Sequence, residues 1–333
     1  MKKNKLSSTQ KTSIKVRTIT GLVLAAIAVP CIIFGNWFFL ALTLFIAISC
    51  AYETVHITDL RGKIKIFIYA IVIILLLATC YYIIVRNALN TVHAGGQLTF
   101  ETICTTQFRE LGISEMLLML TAAVLFVTSF IFESFNIKYV FYLLSMIVIL
   151  SLGIQSLLYL RFSPFSSFKT AGVDTTTSFF KYGRSCFLLV FVVIGVIFND
   201  IGAYFTGILF GQHKMAPRIS PNKTWEGAIG GVIFSFVFSF SFAIGMAAGN
   251  LPLIPQFDLN HWYWLLIICL LIPLFSDIGD FLFSSIKRHF NVKDYSAILP
   301  GHGGILDRFD SMLFASGLVS ALIVFMDFVA GKI

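Results

Sequence analysis

The sequence predicts an all-α integral membrane protein of about nine transmembrane helices with a cytoplasmic N-terminus. Three observations carry this. Of 333 residues, 58% are hydrophobic and only 12% charged, about half the charge of a soluble domain. Several apolar runs approach the roughly 20 residues that cross about 30 Å of hydrocarbon. Basic residues gather on alternate connections, as cytoplasmic segments do.

The runs lie near 18–35, 37–53, 66–85, 115–133, 139–160, 185–209, 227–249, 262–283 and 311–330. The first two are short and close together, which suits a tight hairpin or a partly re-entrant pair. A basic tail, 1–17, precedes them. It suits anionic headgroups, and equally a solvated segment that only enforces topology. No small-x-small cleavage site follows, so the first run reads as a retained helix. The runs up to residue 160 are nearly featureless Leu/Ile/Val/Phe tracts, suited to scaffold and lipid contact. Connections 86–113 and 161–183 read as outer loops. The sixth run holds Asn199 and Asp200 and is expected to break there. The chain thus divides into the tail, an N-terminal scaffold over 18–183 and a C-terminal catalytic region over 184–333.

With the N-terminus inside, segments 1–17, 54–65, 134–138, 210–226 and 284–310 face the cytoplasm and hold 17 of the 24 Lys and Arg. Both motif-rich loops, 210–226 and 284–310, fall on that side. The cysteines, at 31, 50, 80, 104, 186 and 269, form no Cys-x-x-Cys pair, which argues against a disulfide framework or a zinc site. No internal repeat is visible, which weighs against an inverted-repeat transporter.

The chemistry concentrates late in the chain. Asp277 and Asp280, at the end of the eighth run, share one helical face. An aspartate at mid-bilayer costs about 2.5–3.5 kcal/mol, whereas a Leu or Phe returns about 0.3–0.6. The pair must therefore sit near the interface, face a watery cavity, or meet a cation. Asp307 and Asp310 repeat the spacing at the start of the ninth run, so two pairs flank one loop. Such a density of hard oxygens suits Mg²⁺, which takes one or two carboxylates and completes its shell with water and phosphate. Lys287, Arg288, Lys293 and Arg308 supply phosphate-binding cations in the same stretch, although an isolated Lys-Arg pair would be ordinary positive-inside decoration. Pro300-Gly301-His302-Gly303-Gly304 can bring backbone N–H groups close to an anion. Upstream, Asn199 and Asp200 should face the protein interior. Ser220, Lys223, Thr224 and Glu226 suit either phosphate or base contacts, or simply a capped helix start.

These residues in order are Ser285-Ile286-Lys287-Arg288, Lys293-Asp294, Ser296, Leu299-Pro300, His302-Gly303-Gly304 and Asp307-Arg308-Phe309-Asp310. That series resembles the signature of the phosphatidate cytidylyltransferases, also called CDP-diacylglycerol synthases. Asn199-Asp200, Ala203-Tyr204, Gly207, Gly211 and Ser220-Pro221-Asn222-Lys223-Thr224-x-Glu226-Gly227 resemble its upstream pattern. Asn222 stands where a second basic residue is common. The likeness covers roughly residues 195–312; the N-terminal half agrees in hydropathy alone.

The resemblance implies an enzyme of the cell (inner) membrane, its site facing the cytoplasm, that joins CTP and phosphatidic acid. It also implies Mg²⁺, alone or with a second cation, a homodimer, and no nucleic-acid partner. Carried onto this chain, Asp277, Asp280, Asp307, Asp310 and Asp200 become metal candidates. Asp277, Asp280, Lys287, Arg288, Lys293, Asp294, His302 and Arg308 become catalytic candidates. Asn199, Tyr204, Ser220, Lys223, Thr224, Glu226, Ser285, Gly303 and Gly304 become substrate-binding candidates. The rival readings are a polytopic transporter of an anionic solute and a CDP-alcohol phosphotransferase, whose differently spaced Asp motif this chain lacks.

Overall fold

A computed structural model of the chain describes residues 8–93, 95, 115–170, 186–249, 251–254 and 262–329. The start of the basic tail, the 96–114 and 171–185 portions of the two long connections, and Cys104 lie outside the described residues. Within them the helices are α1 (Ser8–Phe34), α2 (Asn36–His56), α3 (Gly62–His93), α4 (Glu115–Ile131), α5 (Ile137–Thr170), α6 (Phe187–Phe210), α7 (Trp225–Ala248), α8 (Trp262–His289) and α9 (Leu306–Val329). Seven are long and apolar enough to cross a membrane; the apolar parts of α1 and α4 are shorter. The chain is a multi-pass membrane protein.

One element departs from the all-α expectation. β1 (Lys214–Ala216) and β2 (Ser220–Thr224) pair antiparallel between α6 and α7. Pro217, which pre-sets the turn backbone, lies inside a turn closed by Ile219 N–H donating to Ala216 O at 3.1 Å.

Several helices outrun their apolar runs. Residues 86–93 continue α3 and residues 161–170 continue α5, so neither stretch is loop. A helix the length of α3, 32 residues, spans about 48 Å against about 30 Å of hydrocarbon. At the far end of α5, Arg161 is buried rather than looped out. Its Nε donates to Ile32 O at 2.8 Å and its Nη2 to Ile33 O at 3.2 Å, satisfying carbonyls that the end of α1 leaves open. The α1–α2 break is a single residue, Gly35, at φ +61°. A side chain there would strike the Arg161 guanidinium.

The expected break in α6 is also absent. The helix runs unbroken through Asn199 and Asp200: Asn199 is buried and donates to Asp277 of α8, and Asp200 is exposed along the wall of a cavity. Likewise α8 continues to His289, so Asp277 and Asp280 lie inside the helix rather than at its end.

α5 is the most enclosed span and touches α2, α3, α4, α6 and α9. α6 and α7 form the tightest pair. A Cβ on Gly202 would sit 2.6 Å from Phe234 Cβ, and one on Gly231 would sit 2.9 Å from Asn199 O; only glycine allows the two backbones this close. The contacts gather one set of helix ends: the C-terminal ends of α2, α6 and α8 with the N-terminal ends of α7 and α9. The start of α5 joins them through Tyr142, whose hydroxyl donates to Thr54 O at 3.0 Å and whose ring packs tilted by 59° against Phe290, centroid to centroid 4.7 Å.

Candidate active site

Polar side chains inside apolar helices must face protein, because lipid cannot solvate them. Asp277 and Asp280 on α8 do so by meeting one cation from the hairpin. Lys223 Nζ lies 3.1 Å from Asp277 Oδ1 and 2.7 Å from Asp280 Oδ2. Its ammonium also rests 4.4 Å from the centre of the Phe281 ring. Asn199 Nδ2 donates to the same Asp277 oxygen at 3.4 Å, and Ser284 Oγ to Asp280 Oδ1 at 3.3 Å. Burial works against a charged Lys223, but Asp280 and Asp277 outweigh it and hold its pKa above the ordinary value.

Local sequence fixes where Lys223 stands. The next residue, Thr224, caps α7 by accepting from Gly227 N at 3.1 Å. Trp225 N–H closes the hairpin onto His213 O at 3.0 Å. A Cβ on Gly211 would press to 2.9 Å of Thr224 Oγ1, so the cap is seated directly on the end of α6. Beside Lys223 opens a cavity of about 490 Å³, lined by Asp200, Tyr204, Asn222, Lys223, Thr224 and Asp277 among small residues of α6 and α7. That volume lies within the usual span of small-molecule sites, about 300–1,000 Å³.

A second lysine serves the second aspartate pair. Lys287, on the last turn of α8, places Nζ 2.8 Å from Asp307 Oδ1 and 4.0 Å from Asp310 Oδ2. Asp307 Oδ2 accepts from Tyr295 N at 2.8 Å and Gly304 N at 2.9 Å. It thereby bends the loop back onto the start of α9. Burial pushes the Tyr295 phenol well above its usual range, and its hydroxyl lies 3.4 Å from Phe283 O. Asp310 Oδ1 accepts from Ser311 N and Oγ at 2.7 and 2.9 Å. Both clusters are built on α8, which carries Asp277 and Asp280 for the first and Lys287 for the second.

The remaining expected site residues divide. Arg288 ties two connections together, donating from Nε to Ile219 O and from Nη1 to Val292 O, each at 3.1 Å. Arg308 donates from Nε and Nη2 to His302 O at 3.0 and 2.7 Å, bracing the glycine turn. Gly303, at φ +82°, packs where a Cβ would crowd Asp294 and Asp307. Lys293 and Asp294 lie on the exposed loop. Glu226 turns back to the hairpin, where Gln212 N, His213 N and His213 Nδ1 meet its carboxylate at 2.6–3.2 Å. Ser285 donates to Phe281 O within its own helix at 2.7 Å. Ser220 lies in the hairpin, opposite Ala216.

One residue escaped the sequence reading. Glu53, fully buried on α2, accepts at Oε1 from Ser296 Oγ (2.6 Å) and Ile305 N (2.7 Å), and at Oε2 from Leu306 N (2.7 Å). A Cβ on Gly304 would come within 2.7 Å of both carboxylate oxygens. The available signal was a lone carboxylate inside an apolar run, the same cue that marked Asp200.

Among the described residues, no three His, Cys, Asp or Glu side chains form a ready-made metal cage. Mg²⁺ needs less, since water and substrate phosphate complete its shell. The donor set is carboxylate oxygen, with lysines already balancing Asp277 and Asp307, and it fits that ion.

A model of the cytidylyltransferase family matches residues 15–326. Proteins named phosphatidate cytidylyltransferase are among the relatives. One from Staphylococcus haemolyticus is 43% identical over 144 residues, covering 43% of this chain and 51% of that protein. Another from Staphylococcus saprophyticus is 44% identical over 139 residues, or 41% and 48% of the two chains. A third from Staphylococcus aureus is 41% identical over 143 residues, or 43% and 50%. The chain thus spans about half the length of the curated relatives it matches.

Proposed function

Because this chain belongs to the cytidylyltransferase family, we propose that it condenses CTP with phosphatidic acid to give CDP-diacylglycerol and pyrophosphate. One phosphate oxygen of the lipid forms a bond to the α-phosphorus of CTP. The bond from that phosphorus to the α–β bridging oxygen breaks, and pyrophosphate leaves with the electron pair. A lipid phosphate is largely ionised at neutral pH, so the reaction needs no dedicated general base. What it needs is positioning and charge neutralisation.

The observation that carries this reading is Lys223 held between Asp277 and Asp280 at the wall of the cavity. An ammonium fixed there offers a donor to a phosphate without swinging in from solvent. The cavity is bounded by exposed Tyr204 and Ile208 of α6, which suits a lipid whose acyl chains stay in the bilayer. One or two of the carboxylates Asp200, Asp277, Asp280, Asp307 and Asp310 would hold Mg²⁺, with water and substrate phosphate completing its shell, and the ion would neutralise charge on the phosphates; a second cation would sit beside it. Asn199 orients Asp277, and the glycine turn gives its Gly304 N–H to Asp307 and so fixes the start of α9.

Orientation follows from charge. The site ends of the helices adjoin the segments that carry most of the Lys and Arg, which supports a site facing the cytoplasm; the proposal puts the protein in the cell membrane, where the resemblance would have it. The resemblance adds a homodimer, which native mass measurement in nanodiscs would test. A transporter is not favoured: the family match and the gathering of carboxylates and lysines at one helix end both point to phosphate chemistry. Purified protein given CTP, phosphatidic acid and Mg²⁺ should release one pyrophosphate per CDP-lipid formed; no CDP-lipid with any phosphatidic acid would sink the reading.

A further inference from the structure

We infer that Glu53 is a positioning residue for this reaction: a cap supplied by α2 that holds the start of α9, and with it Asp307 and Asp310, in working register. The inference rests on the functional reading above for its kinetic arm alone.

The start of α9 leaves N–H groups without intrahelical acceptors, and such a terminus favours negative charge. Two carboxylates share it. Asp307 serves it from within, taking Gly304 N and Tyr295 N on one oxygen. Glu53 serves it from a different helix, taking the N–H groups of Ile305 and Leu306 and the hydroxyl of Ser296. The loop over 295–306 is therefore pinned at both ends by the same pair of acids. Neither Glu53 oxygen is left without a donor. Gly304 has no room for a side chain because the Glu53 carboxylate occupies that space, so the glycine and the glutamate are two halves of one fit. Glu53 thus brings a buried carboxylate of the N-terminal scaffold into the active site, 243 residues before Ser296 and 253 before Leu306 in the chain, while Thr20 of α1 reaches the same loop by donating to Pro300 O at 3.1 Å.

Glu53→Gln keeps size and shape but sets an amide N–H against one of the N–H donors. A displacement of about 1 Å at reacting groups can cost on the order of 100-fold in rate. E53Q should accordingly lower kcat by about 10- to 100-fold and leave KM for CTP within about threefold. Amide hydrogen exchange in the full-length protein should speed up across 295–306 while the α6–α7 pair keeps its protection. Gly304→Ala, which drives a methyl group into the carboxylate, should reproduce the loss without altering Glu53. Added to Glu53→Ala it should cost little more, the non-additivity expected of residues in contact. Wild-type kcat in E53Q or in G304A, unchanged exchange at 295–306, or additive losses in the double variant would each overturn the inference. If E53Q does not fold, G304A and its exchange pattern decide. An inactive wild-type protein would instead sink the functional reading, and the exchange arm would still judge Glu53.

Discussion

Lys223 Nζ stands 2.7 Å from Asp280 Oδ2 and reaches Asp277 with the same ammonium, so a five-residue strand supplies one cation shared by two carboxylates inside α8. The second lysine, Lys287, does the equivalent for Asp307, but in a more buried place: the side chains of that pair are 11% and 4% exposed, against 26% and 32% for Lys223 and Asp280.

This difference separates the roles of the two lysines. Lys287→Met leaves Asp307 buried and uncompensated, and should cost about 3–5 kcal/mol of stability. Lys223→Met removes a half-solvated pair and should cost less, about 1–3 kcal/mol, yet abolish most turnover because the cavity loses its cation. Thermal unfolding in detergent and initial rates on the same preparations check both. Equal stability losses, or a fully active K223M, would contradict the assignment.

The titration of Lys223 has a definite sign. Its pKa in the folded protein lies above the ordinary 10.5. The ion pair therefore contributes its full stability below 10.5 and loses it only as pH rises through the higher folded value. Reductively ¹³C-methylated protein should show one lysine signal that shifts at higher pH than the exposed lysines and vanishes in Lys223→Arg. A signal that titrates with or before the exposed lysines would contradict the ion pair.

Helix packing beside the site gives a paired prediction. Gly202→Ala puts a methyl group 2.6 Å from Phe234 Cβ and 2.9 Å from Gly230 O. It should cost about 1–3 kcal/mol and slow turnover by shifting Asp200. Gly245→Ala, on the same α7, meets nothing within 4 Å and should be neutral or stabilise by up to about 1 kcal/mol. Thermal melts distinguish them; an unperturbed G202A would mean that α6 and α7 are not so closely apposed.

Removing divalent metal with EDTA should stop turnover while leaving the melting temperature nearly unchanged, because lysines already balance Asp277 and Asp307. Mg²⁺ should restore the rate. Turnover that persists in EDTA would remove the metal from the proposal.

How far the sequence could be read follows from the range of each interaction. Asp277 and Asp280, or Asp307 and Asp310, announce themselves because helical periodicity is local and lipid penalises charge. That each pair meets a lysine was not legible: Lys223 comes from 54 residues before Asp277 and Lys287 from 20 before Asp307, and no local pattern encodes either distance. The same holds for Glu53. Arg86 and Arg161 misled in the opposite sense, since a charge after an apolar run reads as a loop, whereas α3 and α5 continue past them. Arg161 can do so because it is buried against the carbonyls of α1. The hairpin was read as a connection because its strands of 3 and 5 residues are too short to show alternation.

The most direct test follows the phosphorus. Purified protein in lipid nanodiscs is given phosphatidic acid, Mg²⁺ and CTP labelled with ³²P at either the α or the γ position. The account predicts label in the chloroform-soluble lipid from α-labelled CTP alone, with γ-label released as pyrophosphate. Transfer of γ-label to lipid, or no lipid label from either nucleotide, would contradict it.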